Sequence, residues 1–136
     1  MKITRQADYA VRVVAYLASQ PQGRIVTSDE VSREKLVPKS FTAKIFQRLC
    51  KACITESKRG IRGGFVLGRK LRDISILDVV EAIDGPITVN YCVVDEDHCP
   101  LSDHCAIHPI WVDIHSEIIR RLKSANFQNL INPADS

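Results

Sequence analysis

The stretch that most constrains this chain is Lys58-Arg59-Gly60-Ile61-Arg62-Gly63-Gly64, a glycine-rich, arginine-bearing turn. It lies between two β-type runs, Ile54-Thr55-Glu56-Ser57 and Phe65-Val66-Leu67. Short β-prone runs on either side of glycines predict an antiparallel hairpin, here with a basic tip. The residues before it have helical period. Thr4 is placed to cap a first helix on which Ala7, Ala10, Val11, Val14, Leu17 and Ala18 recur at i, i+3, i+4 spacing as far as about Ser19. Gln20-Pro21-Gln22-Gly23 breaks it. Thr27 with Glu30 reads as a capping box opening a short second helix over 28–35. Leu36-Val37-Pro38 makes a turn, and a third helix runs to about Ala52. Its expected inner side is Phe41, Ile45, Phe46 and Leu49; its expected outer side is Ser40, Lys44, Gln47, Arg48 and Lys51.

After the hairpin, Ser75 and Asp78 form a second capping box, opening a fourth helix to about Ile83, which Asp84-Gly85-Pro86 ends. Residues 87–106 read as a long irregular segment. A last helix spans about Ile107 to Ala125, with a wide apolar stripe of Ile107, Ile110, Trp111, Ile114, Ile118, Ile119 and Leu122. Three helices, then a hairpin, with a polar basic face on the third helix, is the order of a winged helix-turn-helix. The expected fold class is therefore mainly α with one small β-hairpin, plus a long C-terminal helix. At 136 residues the chain is sized for one compact unit, with residues 1–72 as the DNA-binding region and 73–136 as the cysteine-bearing loop and final helix.

Charge supports this division. Residues 38–72 carry ten Lys/Arg and one acid, Glu56, a balance of +9; residues 73–117 carry ten Asp/Glu and no Lys or Arg, a balance of −10. Clustered Lys/Arg releases condensed counterions from nucleic acid, so the basic third is expected to face phosphate and the acidic third to lie away from it. The B-DNA major groove, about 12 Å wide, admits one α-helix, and a basic hairpin beside it reaches the adjacent backbone or minor groove. Candidate DNA contacts are Lys39, Ser40, Thr42, Lys44 and Arg48 on the third helix, and Lys58, Arg59 and Arg62 on the hairpin. Glycines at the tip are expected to let backbone and DNA come close. The composition, 45% apolar and 26% charged, excludes wholesale disorder, and no apolar run approaches the ~20 residues of a membrane span. The opening MKITRQADYA has no secretory core, so the expected compartment is the cytoplasm.

Five cysteines, an odd number at uneven spacing, do not form a disulfide framework. Cys92, Cys99 and Cys105 lie within fourteen residues as Cys-x(6)-Cys-x(5)-Cys. Thiolates favour soft acceptors: zinc, cuprous copper or iron–sulfur clusters. Zinc sites usually use closer Cys pairs, whereas loop-borne, wide spacing suits a cluster. Zinc or bare thiols remain an alternative. The flanking His98, His104, His108 and His115 are individually weak signals, His108 the best placed of them. Cys50 and Cys53 form a C-x-x-C, but at a helix end rather than after a strand, so packing between helix and hairpin is expected in place of redox chemistry. No nucleotide motif or acid–base constellation marks an enzyme, and a small redox or electron-transfer protein is the reading left furthest behind.

The sequence "DYAVRVVAYLAS", then "SFTAKIFQRLCKA", then "RGIRGGFVLGR", then the three-cysteine loop and a helix, resembles the iron–sulfur winged-helix repressors of the IscR, NsrR and RirA type, the Rrf2 family. The likeness runs from Met1 to about Leu130. It implies a homodimer packed through the last long helix. It also implies transcriptional repression in which an iron–sulfur cluster, of the 2Fe–2S or 4Fe–4S type, sets operator affinity in response to nitric oxide, redox state or iron and cluster supply. By position, Cys92, Cys99 and Cys105 match the cluster cysteines, Arg59 the hairpin arginine, and Ser40 with Lys44 the base- or phosphate-contacting positions. The fourth ligand is either Asp8 of the partner subunit, as in NsrR-like members, or His108, as in IscR-like members. His108 sits three rather than two residues after Cys105 and the first cysteine gap is one residue longer, while Asp8 is in good register. Cys53 stands where the family has a helix-ending glycine.

Overall fold

A computed structural model describes residues 2–61, 63–94 and 99–133. In chain order its elements are α1 (Arg5–Ser19), α2 (Ser28–Lys35), α3 (Lys39–Lys51), β1 (Thr55–Lys58), β2 (Gly64–Leu67), a 3-10 turn (Leu71–Asp73), α4 (Ile76–Asp84), α5 (Tyr91–Val94), a second 3-10 turn (Ser102–His104), α6 (His108–Ser124) and α7 (Phe127–Ile131). β1 and β2 pair antiparallel with Thr55 opposite Leu67 and Lys58 opposite Gly64, and Val26 adds an isolated antiparallel bridge to Phe65. This is the winged helix-turn-helix order expected from the periodicities.

The start signals act as their chemistry dictates. Thr4 accepts from the Ala7 N–H at 3.1 Å, and the Ser75–Asp78 capping box closes in both directions at 2.9 and 3.1 Å. The Thr27 box closes in one direction only. Thr27 accepts from the Glu30 N–H at 3.1 Å, but the Glu30 carboxylate turns to Arg24, at 2.5 and 3.1 Å. Between α2 and α3 the chain reverses through Leu36, whose φ of 54° lies in the left-handed region and leaves its side chain 81% exposed. Ser32 closes that turn by donating to the Val37 carbonyl.

One apolar core joins the two halves of the chain. Val13 and Val14 of α1, Ile45, Phe46 and Leu49 of α3, and Val79 and Val80 of α4 are at most 1% exposed and belong to one cluster. The Phe46 and Phe65 rings stack with centroids 3.9 Å apart, seating the hairpin against α3. Phe41, expected on the inner side of α3, lies at the core's edge, 36% exposed and 5.5 Å from the Tyr9 ring.

The C-terminal third holds two unanticipated features. The segment 87–106, expected to be irregular, carries the single turn α5 and the 3-10 turn over Ser102–His104. Beyond α6, Phe127 returns to the core at 1% exposure. Its N–H donates to the Ile74 carbonyl at 3.0 Å, while the Ile76 N–H donates to Ala125 at 2.9 Å, so the end of α6 is tied to the start of α4.

The two hairpin glycines nearest β2 answer to internal sterics. A Cβ on Gly64 would lie 2.5 Å from the Val26 carbonyl oxygen, and one on Gly63 2.7 Å from that of Lys58. The expectation that tip glycines serve DNA approach is therefore corrected at these positions: the hairpin's own packing requires them. Gly60, with φ 128° and open space around its Cα, is the one that lets the tip reverse.

Candidate nucleic-acid interface and cysteine segment

α3 presents Lys39, Ser40 and Lys44 to solvent, and Lys58 and Arg59 stand exposed on the hairpin beside it. Lys39 reaches Asp29 at 3.6 Å and Lys58 reaches Glu56 at 3.8 Å, both across exposed pairs. Such contacts are weak in water, so they do not remove either ammonium from an approaching phosphate. Arg62 and His98 lie outside the described residues.

Two α3 residues expected at the DNA face are held elsewhere. Thr42 is 4% exposed and its hydroxyl donates to the Lys39 carbonyl at 3.0 Å, a back-bond within the helix. Arg48 is half-buried and donates from Nη1 to the Ile83 carbonyl at 2.7 Å, at the last turn of α4. The same end of α4 receives α1: Thr4 donates from Oγ1 to Asp84 Oδ1 at 2.6 Å, and its N–H reaches Oδ2 at 3.3 Å. The last turn of α4 thus holds the start of α1 and the last turn of α3 together. Helical spacing does not reveal this, because both Arg48 and Thr4 are ordinary surface-type residues in sequence.

α3 ends in a Schellman turn. The Ile54 N–H donates to Leu49 O at 3.0 Å and the Cys53 N–H to Cys50 O at 3.0 Å. Cys53 takes the left-handed position, φ 62°, that glycine favours there, and is exposed rather than packed between helix and hairpin as expected. Cys50 is half-buried, its sulfur 3.2 Å from the Thr55 hydroxyl.

Cys92 sits on α5, Cys99 just before the second 3-10 turn, and Cys105 just after it. All three are half-buried and none is disulfide-bonded. As donors, three soft thiols suit an iron–sulfur cluster. As geometry, the single chain does not gather them: among the described residues no three His, Cys, Asp or Glu side chains converge at metal-ion distance. Of the fourth-ligand candidates, Asp8 is exposed and paired with Arg12 at 2.9 Å across one turn of α1. His108 opens α6, half-buried, with Nδ1 enclosed and without a hydrogen-bond partner. Among the described residues no helix is long and apolar enough to cross a membrane.

A helix-turn-helix with an exposed polar-basic third helix, flanked by a basic hairpin, defines a winged-helix DNA-binding protein. The sequence profile of the Rrf2 family, described as iron-dependent transcriptional regulators, matches residues 3–133, and the chain belongs to that family. It is similar to the transcriptional regulator IscR of Photorhabdus laumondii, at 29% identity over 97% of this chain and 80% of that protein. It is 28% identical to IscR of Pectobacterium atrosepticum, over 97% of this chain and 80% of that protein. Its fold is similar to that of CymR, the global cysteine regulator of B. subtilis, with a TM-score of 0.78 at 22% identity, covering 96% of each chain. It also resembles T. potens IscR, with a TM-score of 0.77 at 19% identity, covering 98% of this chain and 88% of the other. The protein is thus an IscR-like transcriptional regulator and not an enzyme.

Proposed function

We propose that the protein is a cytoplasmic, homodimeric repressor whose operator affinity is set by an iron–sulfur cluster on Cys92, Cys99 and Cys105. The observation that carries the reading is where the cysteines lie. The segment holding them joins the last turn of α4 to the first turn of α6, and that same turn of α4 holds α3 through Arg48 and α1 through Thr4. Such a cluster would supply a centre whose ligation and charge change with nitric oxide, redox state or iron supply. The chain's own residues do the rest. Ser40 and Lys44 read the groove; Lys39, Lys58, Arg59 and Arg62 meet phosphate or the minor groove. A shift at Ile83 and Asp84 passes to α3 along the Arg48 hydrogen bond.

The apolar face of α6 supports the dimer. Ile107 at the cap and Ile110 and Ile114 on the same side of α6 are 39–59% exposed, on a helix with no fully buried residue. Uncovered apolar surface of that extent marks an interface. Two-fold symmetry then places paired α3 helices about one DNA turn, roughly 34 Å, apart, on a pseudo-palindromic operator. The fourth ligand is Asp8 of the partner subunit or His108. Asp8 would have to exchange its Arg12 pairing, while His108 already has an unpartnered ring nitrogen.

A second reading is a regulator using bare thiols or zinc; the ungathered cysteines fit its bare-thiol form, while zinc, like a cluster, would need them brought together. Anaerobic purification separates the two. A brown protein with iron and sulfide, whose visible spectrum is lost in the Cys92→Ala, Cys99→Ala and Cys105→Ala variants, supports the cluster. A colourless protein, with or without stoichiometric zinc, overturns it.

A further inference from the structure

A cleft of about 730 Å³ opens on the far side of the hairpin from α3. Its apolar lining includes Leu17 and Ala18 of α1, Ile25, Val66 of β2 and Leu71. Phe65 turns inward to Phe46, so its β2 neighbour Val66 turns outward to this cleft. The rim holds Arg24, Lys58, Arg69, Lys70 and Arg72, and no carboxylate lines it among the described residues. Three of these cations have partners: Arg24 on Glu30, Arg69 on the Ala52 carbonyl at 2.6 Å, and Lys58 near Glu56. Lys70 and Arg72 are exposed and have no ion pair among the described residues. Both are free to meet an anion that enters the cleft.

We propose that this cleft binds an organic anion with an apolar body, a carboxylate or phosphate monoester. The apolar part lies over Val66 and Leu71 and the anionic end meets Lys70 and Arg72. The volume is that of a small-molecule site, and such sites pair an apolar lining with a few convergent polar groups. A DNA backbone would satisfy the rim but leave the apolar floor without a partner, which favours the amphiphilic ligand. The occupant would touch α1, the base of the hairpin and, at Gln128, α7, so its binding would stiffen the hairpin against the core.

Octanoate and phenyl phosphate serve as probes, titrated into the intact protein and followed by amide chemical shifts, with octylamine as a length-matched cation. Saturable shifts clustered at Leu67, Lys70, Leu71 and Arg72 are expected with at least one of the anions, with octylamine at least tenfold weaker. The double variant Lys70→Glu/Arg72→Glu, both positions exposed, should keep the hairpin and α1 resonances in place and weaken anion binding at least tenfold. Failure of both anions to saturate, equal binding of octylamine, or binding unchanged in the double variant would overturn the proposal. So would a double variant that loses affinity for every duplex while neither probe binds the parent, which would make the cleft a phosphate-backbone contact.

Discussion

Arg48 Nη1 lies 2.7 Å from the Ile83 carbonyl oxygen, so a cation on α3 is tied to the end of α4. A guanidinium bond to a backbone carbonyl contributes roughly 1.5–3 kcal/mol when well shielded, and less at this half-buried site. Arg48→Met should lower stability to urea by about 1 kcal/mol. It should weaken operator binding while leaving the salt dependence of that binding unchanged. A drop of about one in the salt slope would instead mark Arg48 as a phosphate contact.

Arg59 behaves in the opposite way. Exposed on the hairpin, it has no hydrogen bond or ion pair among the described residues to lose. Arg59→Ala should leave stability unchanged, weaken binding to all duplexes about equally and reduce the salt slope by about one. Substitutions at Ser40 or Lys44 should redistribute affinity among operator sequences. Binding assays at several salt concentrations separate these effects.

Gly64 is fixed by the Val26 carbonyl, 2.5 Å from where a Cβ would stand. Gly64→Ala must push β2 off the Val26 bridge and disturb the Phe46–Phe65 stack. A cost of about 1–3 kcal/mol, the range for overpacking, is expected in thermal or urea unfolding. Arg59→Ala, a few residues away, provides the contrast.

The ionic link between Arg24 and Glu30 carries a pH signature. The Arg24 hydrogen bonds hold the Glu30 carboxyl below the ordinary glutamate range. The unfolded chain therefore takes up this proton at a higher pH than the folded one does. The stabilisation is complete above the ordinary glutamate pKa and is lost as pH falls through it toward the folded value. Glu30→Gln should be slightly less stable than the parent at neutral pH, and the gap should close in acid. Urea midpoints measured across pH would check this, and a gap that widened in acid would refute the assignment.

Phe127→Ala should cost about 3–5 kcal/mol, the range for emptying a buried aromatic site. This also alters how dimerisation is to be tested. Removing the chain from Ile107 onward takes away Phe127 along with the apolar face of α6 and confounds the two. Ile110→Asp with Ile114→Asp acts on exposed positions alone and should yield a folded monomer by sedimentation.

Most of the fold was legible because its signals are local. The caps at Thr4 and Ser75, the breaks at Pro21 and Gly85 and the apolar spacing of α1 and α3 each depend on a few neighbouring residues. What escaped the sequence depends on distant partners. Thr42 and Phe41 exchange the burial expected of them because α1 places Tyr9 against the edge of α3. Arg48 looks like one more outward cation until Ile83, 35 positions on, supplies its carbonyl. Phe127 lies outside the apolar stripe of α6 and so gave no periodic signal. The cysteine triad was legible as chemistry, but among the described residues it forms no group placed to hold a metal ion, and the sequence spacing alone carried no sign of that.

The return of Phe127 to Ile74 also sets the order in which a newly made chain matures. α3 and the hairpin leave the ribosome early, but the core beneath them is incomplete until residue 127 has emerged. Interrupted translation, or cleavage ahead of α6, therefore leaves α3 and the hairpin resting on an incomplete core.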